Sequence, residues 1–261
     1  MTSTEIEGAE AIQPGAEPFA ARPEGEPVGA VLVVHGFTGS PISMRPWAEH
    51  LLGAGFEVSI PLLAGHGTSW QQMNDTTWHD WYDSAEPELL RLAEQHGRVG
   101  IAALSMGGSL ALRLAELHPE KITGLALVNP SVGSAELQMK FVPLLSTFVP
   151  SVKAIGDDIA KPGISERAYD RTPLRAARSM MHLWKTVRGD LSRVDHPILL
   201  FRSEADHVVD PLSARIIREG ISSERFTERM LQRSYHVATL DYEAPQIFAE
   251  STEFFTELAL R

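Results

Sequence analysis

Hydrophobic positions along the chain fall into short continuous runs separated by amphipathic stretches. Residues 30–34 read Ala-Val-Leu-Val-Val and end at His35-Gly36, the pattern of a strand buried on both faces. Residues 41–55 follow as a predicted helix, with Ser40 as N-cap, Pro41 at its first position, and Gly53 and Gly55 to stop it. Residues 56–62 form the next strand, and residues 63–77, with Gly65 and Gly67, read as a loop. A helical period returns over residues 77–95, capped by Thr77 and stopped by Gly97. Residues 99–104 are apolar and run directly into a helical pattern over residues 105–118, which Pro119 ends. A further apolar strand, residues 122–128, is closed by Asn129-Pro130. Strands and helices alternating in this way predict an α/β fold with a doubly wound, mostly parallel sheet and helices on both faces.

Residues 131–195 break the rhythm. No convincing sheet strand occurs there, only amphipathic pieces (residues 141–149 and 174–188) joined by polar connectors. The rhythm resumes with a strand at residues 196–201, a helix at 211–219, a weaker strand at 226–231 and a closing helix at 244–260. The expected organisation is therefore a flexible N-terminal segment over residues 1–27, a core built from residues 28–130 and 196–261, and a small cap of residues 131–195 over the sheet's C-terminal edge. A short strand is expected near residues 18–22, within a segment otherwise rich in Glu, Ala, Pro and Gly.

Composition narrows the chemistry. A formal charge of −11 at pH 7 leaves no basic footprint for nucleic acid and disfavours anionic membranes. No segment is apolar for long enough to span a bilayer, so no integral membrane segment is expected. Residues 1–10 are acidic and polar, unlike a signal peptide, and the chain has no cysteine; both fit a cytoplasmic protein. The histidines are scattered, which gives no metal-ligand spacing, and no Gly-x-Gly-x-x-Gly follows a strand, so neither a metal nor a dinucleotide cofactor is expected.

Candidate chemistry begins at Ala103-Leu104-Ser105-Met106-Gly107. A serine between small residues, on the turn from a buried strand into a helix, has the setting of a nucleophile elbow. A serine hydroxyl is a poor nucleophile at neutral pH and needs a base within reach, ordinarily a histidine held in one tautomer by a carboxylate. After the strand at 196–201 the available acids are Glu204, Asp206 and Asp210. Asp206 lies near the strand end, whereas Asp210-Pro211 reads as the start of a helix. Of the ten histidines only His207 and His236 come later. His207 adjoins Asp206 and would have to fold back, while His236 follows the last strand; Ser105, Asp206 and His236 are therefore the expected catalytic residues. An oxyanion would be held by backbone N–H groups of Met106 and of Phe37, in the loop after the first long strand. His35 and His66 read as props of their loops rather than as chemistry.

The segments His35-Gly36-Phe37-Thr38-Gly39, Pro61-Leu62-Leu63-Ala64-Gly65-His66-Gly67, Leu104-Ser105-Met106-Gly107-Gly108, Asp206-His207-Val208-Val209 and Ser234-Tyr235-His236-Val237 resemble those of α/β-hydrolases, in particular bacterial carboxylesterases and monoacylglycerol lipases. The resemblance runs from residue 35 to residue 237. It implies the α/β-hydrolase fold and a serine esterase that cleaves monoacylglycerols or other medium-chain esters through an acyl-enzyme without a cofactor. Thioesterase, lysophospholipase or C–C hydrolase chemistry would use the same triad. The resemblance also implies a cap glutamate that binds the glycerol head, matched here by Glu166, with Ile155 as an apolar neighbour. Other apolar cap residues, Phe141, Val142, Leu144, Leu145, Phe148 and Val149, would line an acyl channel. The chain departs from the Gly-x-Ser-x-Gly elbow at Ala103, where the added methyl is small enough for activity to survive. A small ester is the expected partner, with a homodimer as the expected assembly if there is one.

Overall fold

A computed structural model describes residues 11–154 and 156–260. In chain order its elements are β1 (Phe19–Ala21), β2 (Gly29–Val34), α1 (Arg45–Gly53), β3 (Phe56–Ile60), α2 (Trp70–Asn74), α3 (Trp78–His96), β4 (Val99–Leu104), α4 (Met106–Leu117), β5 (Ile122–Val128), α5 (Val142–Leu145), β6 (Ser151–Lys153), β7 (Arg171–Pro173), α6 (Leu174–Asp190), β8 (Ile198–Ser203), α7 (Leu212–Gly220), β9 (Phe226–Leu231) and α8 (Ala244–Ala259). Seven strands form one sheet in the order β1-β3-β2-β4-β5-β8-β9. Only β1 runs antiparallel, pairing Phe19 with Ile60; the remaining pairs are parallel.

The continuous apolar runs serve both faces of this sheet, because successive side chains of a strand point to opposite sides. Leu32, Val34, Ile101, Ala103, Leu125, Leu127, Ile198 and Leu200 join one core with residues of α3, α4 and α6. Their neighbours Val31, Val33, Ala102, Leu104, Ala126, Val128, Leu199 and Phe201 join the other with α1 and α8. Trp47 of α1 is fully buried there and donates its indole N–H to Ser251 Oγ at 2.8 Å, tying α1 to α8.

Three local expectations change. The helix expected over residues 41–55 is two pieces: a 3-10 turn at Pro41–Ser43, capped by Ser40 Oγ, and then α1. Pro46 explains the break, since it has no N–H to bond back into the preceding turn and can only sit near a helix start. The loop expected over residues 63–77 contains α2, capped by Ser69, whose five residues are too few to show a period. Residues 131–195 do hold strands, but β6 and β7 form a separate antiparallel pair of three residues each, outside the main sheet. In the same segment α6 packs on α3 and α4.

The crossing of α4 over the end of β2 fixes the elbow. A Cβ on Gly107 would lie 2.4 Å from the Val34 carbonyl oxygen and 2.6 Å from that of His35, so no side chain fits. Both obstructing atoms are backbone. Gly107→Ala therefore forces α4 off the sheet, and denaturant unfolding is expected to show a loss of about 2–3 kcal/mol, the scale of core overpacking; an unchanged midpoint contradicts this packing.

Candidate active site

Ser105 sits at the junction of β4 and α4 with φ 55° and ψ −121°, a conformation unfavourable for a side-chain-bearing residue. The surroundings hold it there. Its N–H donates to Val128 O at 3.0 Å, and its own carbonyl accepts from Gly108 N–H at 2.9 Å and Ser131 N–H at 3.1 Å. The N-terminus of α4 lies immediately behind the side chain, and Met106 is the first residue of that helix. Its N–H is one of the four that an α-helix leaves without an intrahelical acceptor.

The loop after β2 comes up against this turn: a Cβ on Gly36 would lie 3.2 Å from Ser105 Cβ. Phe37 is thus adjacent to the serine, with its ring edge-on to Trp81 at 5.9 Å and Thr38 next to it at φ 59°. His35 props this loop, as expected. It is fully buried, its Nδ1 pairs with Gly36 O at 3.0 Å, and its Nε2 accepts Leu63 N–H at 3.2 Å, which requires the neutral ring. Burial pushes the His35 pKa down to about 4, against a smaller opposing effect of the Gly36 carbonyl. His66 packs edge-on against His35 and Trp81, and burial, aided by His35, lowers its pKa to about 3.

Asp206 follows β8 and His236 follows β9. Their side chains meet, with His236 Nδ1 2.8 Å from Asp206 Oδ2, the imidazole 8% and the carboxylate 5% exposed. Asp206 Oδ1 also accepts N–H groups of Val208 and Val209, each at 2.8 Å. Burial disfavours both charges, yet each partner's charge and the hydrogen bond between them prevail. The His236 pKa ends raised, with help from Glu166 and Asp158, and that of Asp206 ends lowered. The other two carboxylate candidates lie elsewhere: Glu204 is exposed, and Asp210, just before the Pro211 cap of α7, accepts Leu212 N–H at 2.8 Å and Ala135 N–H at 2.8 Å. Exposed His207 turns away to Asp158, with Nδ1–Oδ1 at 2.7 Å.

One residue that the sequence showed only as a strand terminator joins these loops. Asn129, at φ 44° after β5, accepts Ser203 N–H at 2.8 Å and donates to Ser203 Oγ and, at 2.8 Å, to the carbonyl of His236. It draws the His236 loop back across β8 towards β4. Asp241, which no local pattern in the sequence marks, accepts Tyr235 N–H at 2.9 Å together with Ala160 and Lys161 N–H, binding the histidine loop to the inserted segment.

Glu166, from the inserted segment, comes close: its Oε2 lies 3.4 Å from where a Cβ on Gly39 would stand, beside the Phe37 loop. Burial raises its pKa to about 7, and Asp157 and Asp158 push the same way while His236 opposes. Ile155 lies outside the described residues. The expected acyl-channel residues are mostly turned outwards. Phe141, Leu144, Leu145, Phe148 and Val149 are exposed, Phe148 to 78%, and of the group only Val142 is buried. Among the described residues no group of three or more His, Asp or Glu is arranged to hold a metal ion, and no helix is long and apolar enough to cross a membrane.

Residues 25–243 match the family model described as serine aminopeptidase, S33. The chain belongs to that family. It is 42% identical over 252 residues to a thermostable monoacylglycerol lipase of Bacillus sp. (strain H-257), covering 94% of this chain and 96% of that one. A carboxylesterase of Bacillus subtilis (strain 168) is 24% identical, covering 88% and 93%. Among solved structures, one from work on two metagenome-derived lipolytic enzymes, LipS and LipT, superposes with a TM-score of 0.90 at 34% identity, over 95% of this chain and 100% of that one. The chain is thus a serine hydrolase with the α/β-hydrolase fold.

Histidine titration followed by NMR separates the buried rings of His35, His66 and His236. His236 is expected to titrate above the ordinary value of 6.5, and His35 and His66 to remain neutral at about pH 5. Because their folded values lie below the unfolded one, His35 and His66 contribute stability that is present above 6.5 and lost as pH falls through about 4 and about 3. A protonated His35 at about pH 6 contradicts the hydrogen bond that its Nε2 accepts.

Proposed function

We propose that the chain is a carboxylic ester hydrolase whose nucleophile is Ser105, whose general base is His236 and whose orienting acid is Asp206, acting on monoacylglycerols and other medium-chain esters. The observation that carries this is the buried His236–Asp206 hydrogen bond at 2.8 Å on the strand-end edge of the sheet that also bears a left-handed serine at a helix N-terminus. Ser105 Oγ attacks the ester carbonyl carbon while His236 Nε2 takes its proton. N–H groups of Phe37 and Met106 hold the oxygen that becomes negative. The C–O bond to the alcohol breaks, the alcohol leaves with the proton from His236, and an acyl-Ser105 remains. Water then gives a proton to His236 and attacks the acyl carbon; the bond to Ser105 Oγ breaks, His236 returns the proton to that oxygen, and the acid leaves. Asp206 keeps the imidazole in the tautomer with Nε2 free to accept, and stabilises the imidazolium that forms.

Glycerol esters are favoured as substrates by the similarity to the Bacillus lipase and by the position of Glu166 beside the Phe37 loop, where its carboxyl would meet an alcohol head. The enzyme works without a cofactor, on a small ester, as a single chain or a homodimer. A cytoplasmic setting is supported by the absence of cysteine, which suits a reducing compartment.

Acyl release from a monoacylglycerol, an acyl-CoA and a short nitrophenyl ester tests the assignment. The glycerol ester is expected to be preferred, and Ser105→Ala to lose at least about 10³-fold in kcat, the scale of losing a triad member. Glu166→Gln is expected to raise KM for the monoacylglycerol more than for the nitrophenyl ester. Preference for the thioester sinks the lipid-ester assignment, and an active Ser105→Ala sinks the nucleophile.

A further inference from the structure

Two consecutive acids in the inserted segment, Asp157 and Asp158, point to different parts of the site. Asp158 is 9% exposed at its side chain and collects groups from both loops that carry the buried pair. Its Oδ2 accepts the N–H of His236 at 3.1 Å and the N–H of His207 at 3.2 Å. Its Oδ1 pairs with His207 Nδ1 at 2.7 Å, and its backbone oxygen accepts Val237 N–H at 3.1 Å. His207 in turn meets Tyr235 edge-on at 4.7 Å, the residue before His236. One carboxylate thus spans the residue after Asp206 and His236 itself. Asp157, at φ 53°, turns the chain so that its own carboxylate faces the other way, accepting Ser165 Oγ at 2.7 Å and Glu166 N–H at 2.8 Å. Asp tolerates this left-handed conformation better than most residues do.

We propose that Asp158 is a positioning residue that clamps the loops of Asp206 and His236 together from the inserted segment, and that Asp157 links Glu166 to the same clamp. The inference rests on His236 being the base and on Glu166 facing the alcohol. Its physical content is distance. A general base must lie within hydrogen-bond reach of the proton it takes. Asn129, after β5, ties the end of β8 to the loop after β9, and Asp158 ties the loops after β8 and β9 from the inserted segment. Backbone anchors at His207, His236 and Val237 constrain the loops rather than the imidazole ring alone. The charge of Asp158 adds to an effect already set by position: the charged or titratable groups facing His236 are Asp206 from the β8 loop, and Glu166 and Asp158 from the inserted segment. Removing Asp158 takes away one of the three carboxyl groups that favour the imidazolium. It also relieves Glu166, whose protonated form Asp157 and Asp158 favour. Occupancy of the alcohol position by Glu166 and alignment of the base thereby share one two-residue hinge.

The test is kcat, KM and the pH profile of kcat/KM for a soluble nitrophenyl ester with the full chain and its Asp158→Asn, Asp158→Ala and His207→Ala variants, with thermal unfolding of each. Asp158→Ala is expected to lower kcat by about tenfold or more, the scale of small misplacements in an active site, with KM little changed. Asp158→Asn keeps one accepting oxygen, so kcat is expected to lie between Ala and the parent, and its acid limb to move to lower pH because a negative charge facing His236 has gone. His207 is 55% exposed at its side chain, so His207→Ala keeps the fold and is expected to lower kcat several-fold at constant KM. Should both Asp158 variants unfold, the His207 variant decides. Parent-like kcat and pH limb in the folded variants overturn the clamp. Ser105→Ala separates the two ideas: inactive Ser105→Ala beside parent-like Asp158 and His207 variants removes only the clamp, and active Ser105→Ala removes the catalytic assignment beneath it.

Discussion

Everything at the strand ends depends on how closely α4 can approach β2. With no side chain at Gly107, the helix start comes down onto the carbonyls of Val34 and His35, and the chain between β4 and α4 has room only for a sharp turn. Ser105 absorbs that turn in a left-handed conformation worth about 1–3 kcal/mol of strain for a residue with a side chain. Bonds from Ser105 to Val128, Gly108 and Ser131 make any relaxation cost backbone hydrogen bonds on three sides. The reward is positional: Ser105 stands between the N-terminus of α4 and the loop after β2.

The same fold sets three of its buried histidines to different ends by choosing their partners. His35 and His66 face backbone carbonyls, which compensate little for the loss of water, and the neutral ring of His35 also accepts Leu63 N–H from the loop after β3. His236 is also buried but faces a carboxylate, whose charge, with the hydrogen bond to it, outweighs desolvation. Asp206 remains charged because His236 and two backbone N–H groups replace the water it has lost. A buried pair of this kind contributes little net stability but holds one ring in one orientation, which is what proton transfer requires.

Much of this was legible in the sequence because it is local. Apolar runs such as residues 30–34 and 99–104 show strands covered on both faces; Thr77 with Asp80 three residues on shows where α3 begins. The order of Ser105, Asp206 and His236 after successive strands needed only the rule that such sites gather at strand ends. What stayed hidden is long-range. Asn129 reads as a turn residue, and nothing nearby in the chain announces its bond to His236, 107 positions away. Asp158 and Asp241 look like ordinary surface acids until folding brings them against the histidine loop. The exposed side chains of Phe141, Leu144 and Phe148 make the complementary point: an amphipathic pattern fixes a helical face, but which face is covered depends on what packs there.

The central claim is that Ser105 becomes covalently attached to an acyl group because His236 removes its proton. Labelling the whole protein with an active-site-directed fluorophosphonate, followed by peptide mapping, tests it most directly. The label is expected on the peptide containing Ser105, with its rate of attachment falling as His236 is protonated and collapsing in His236→Ala. Label on another serine, or an undiminished rate in His236→Ala, would contradict the account.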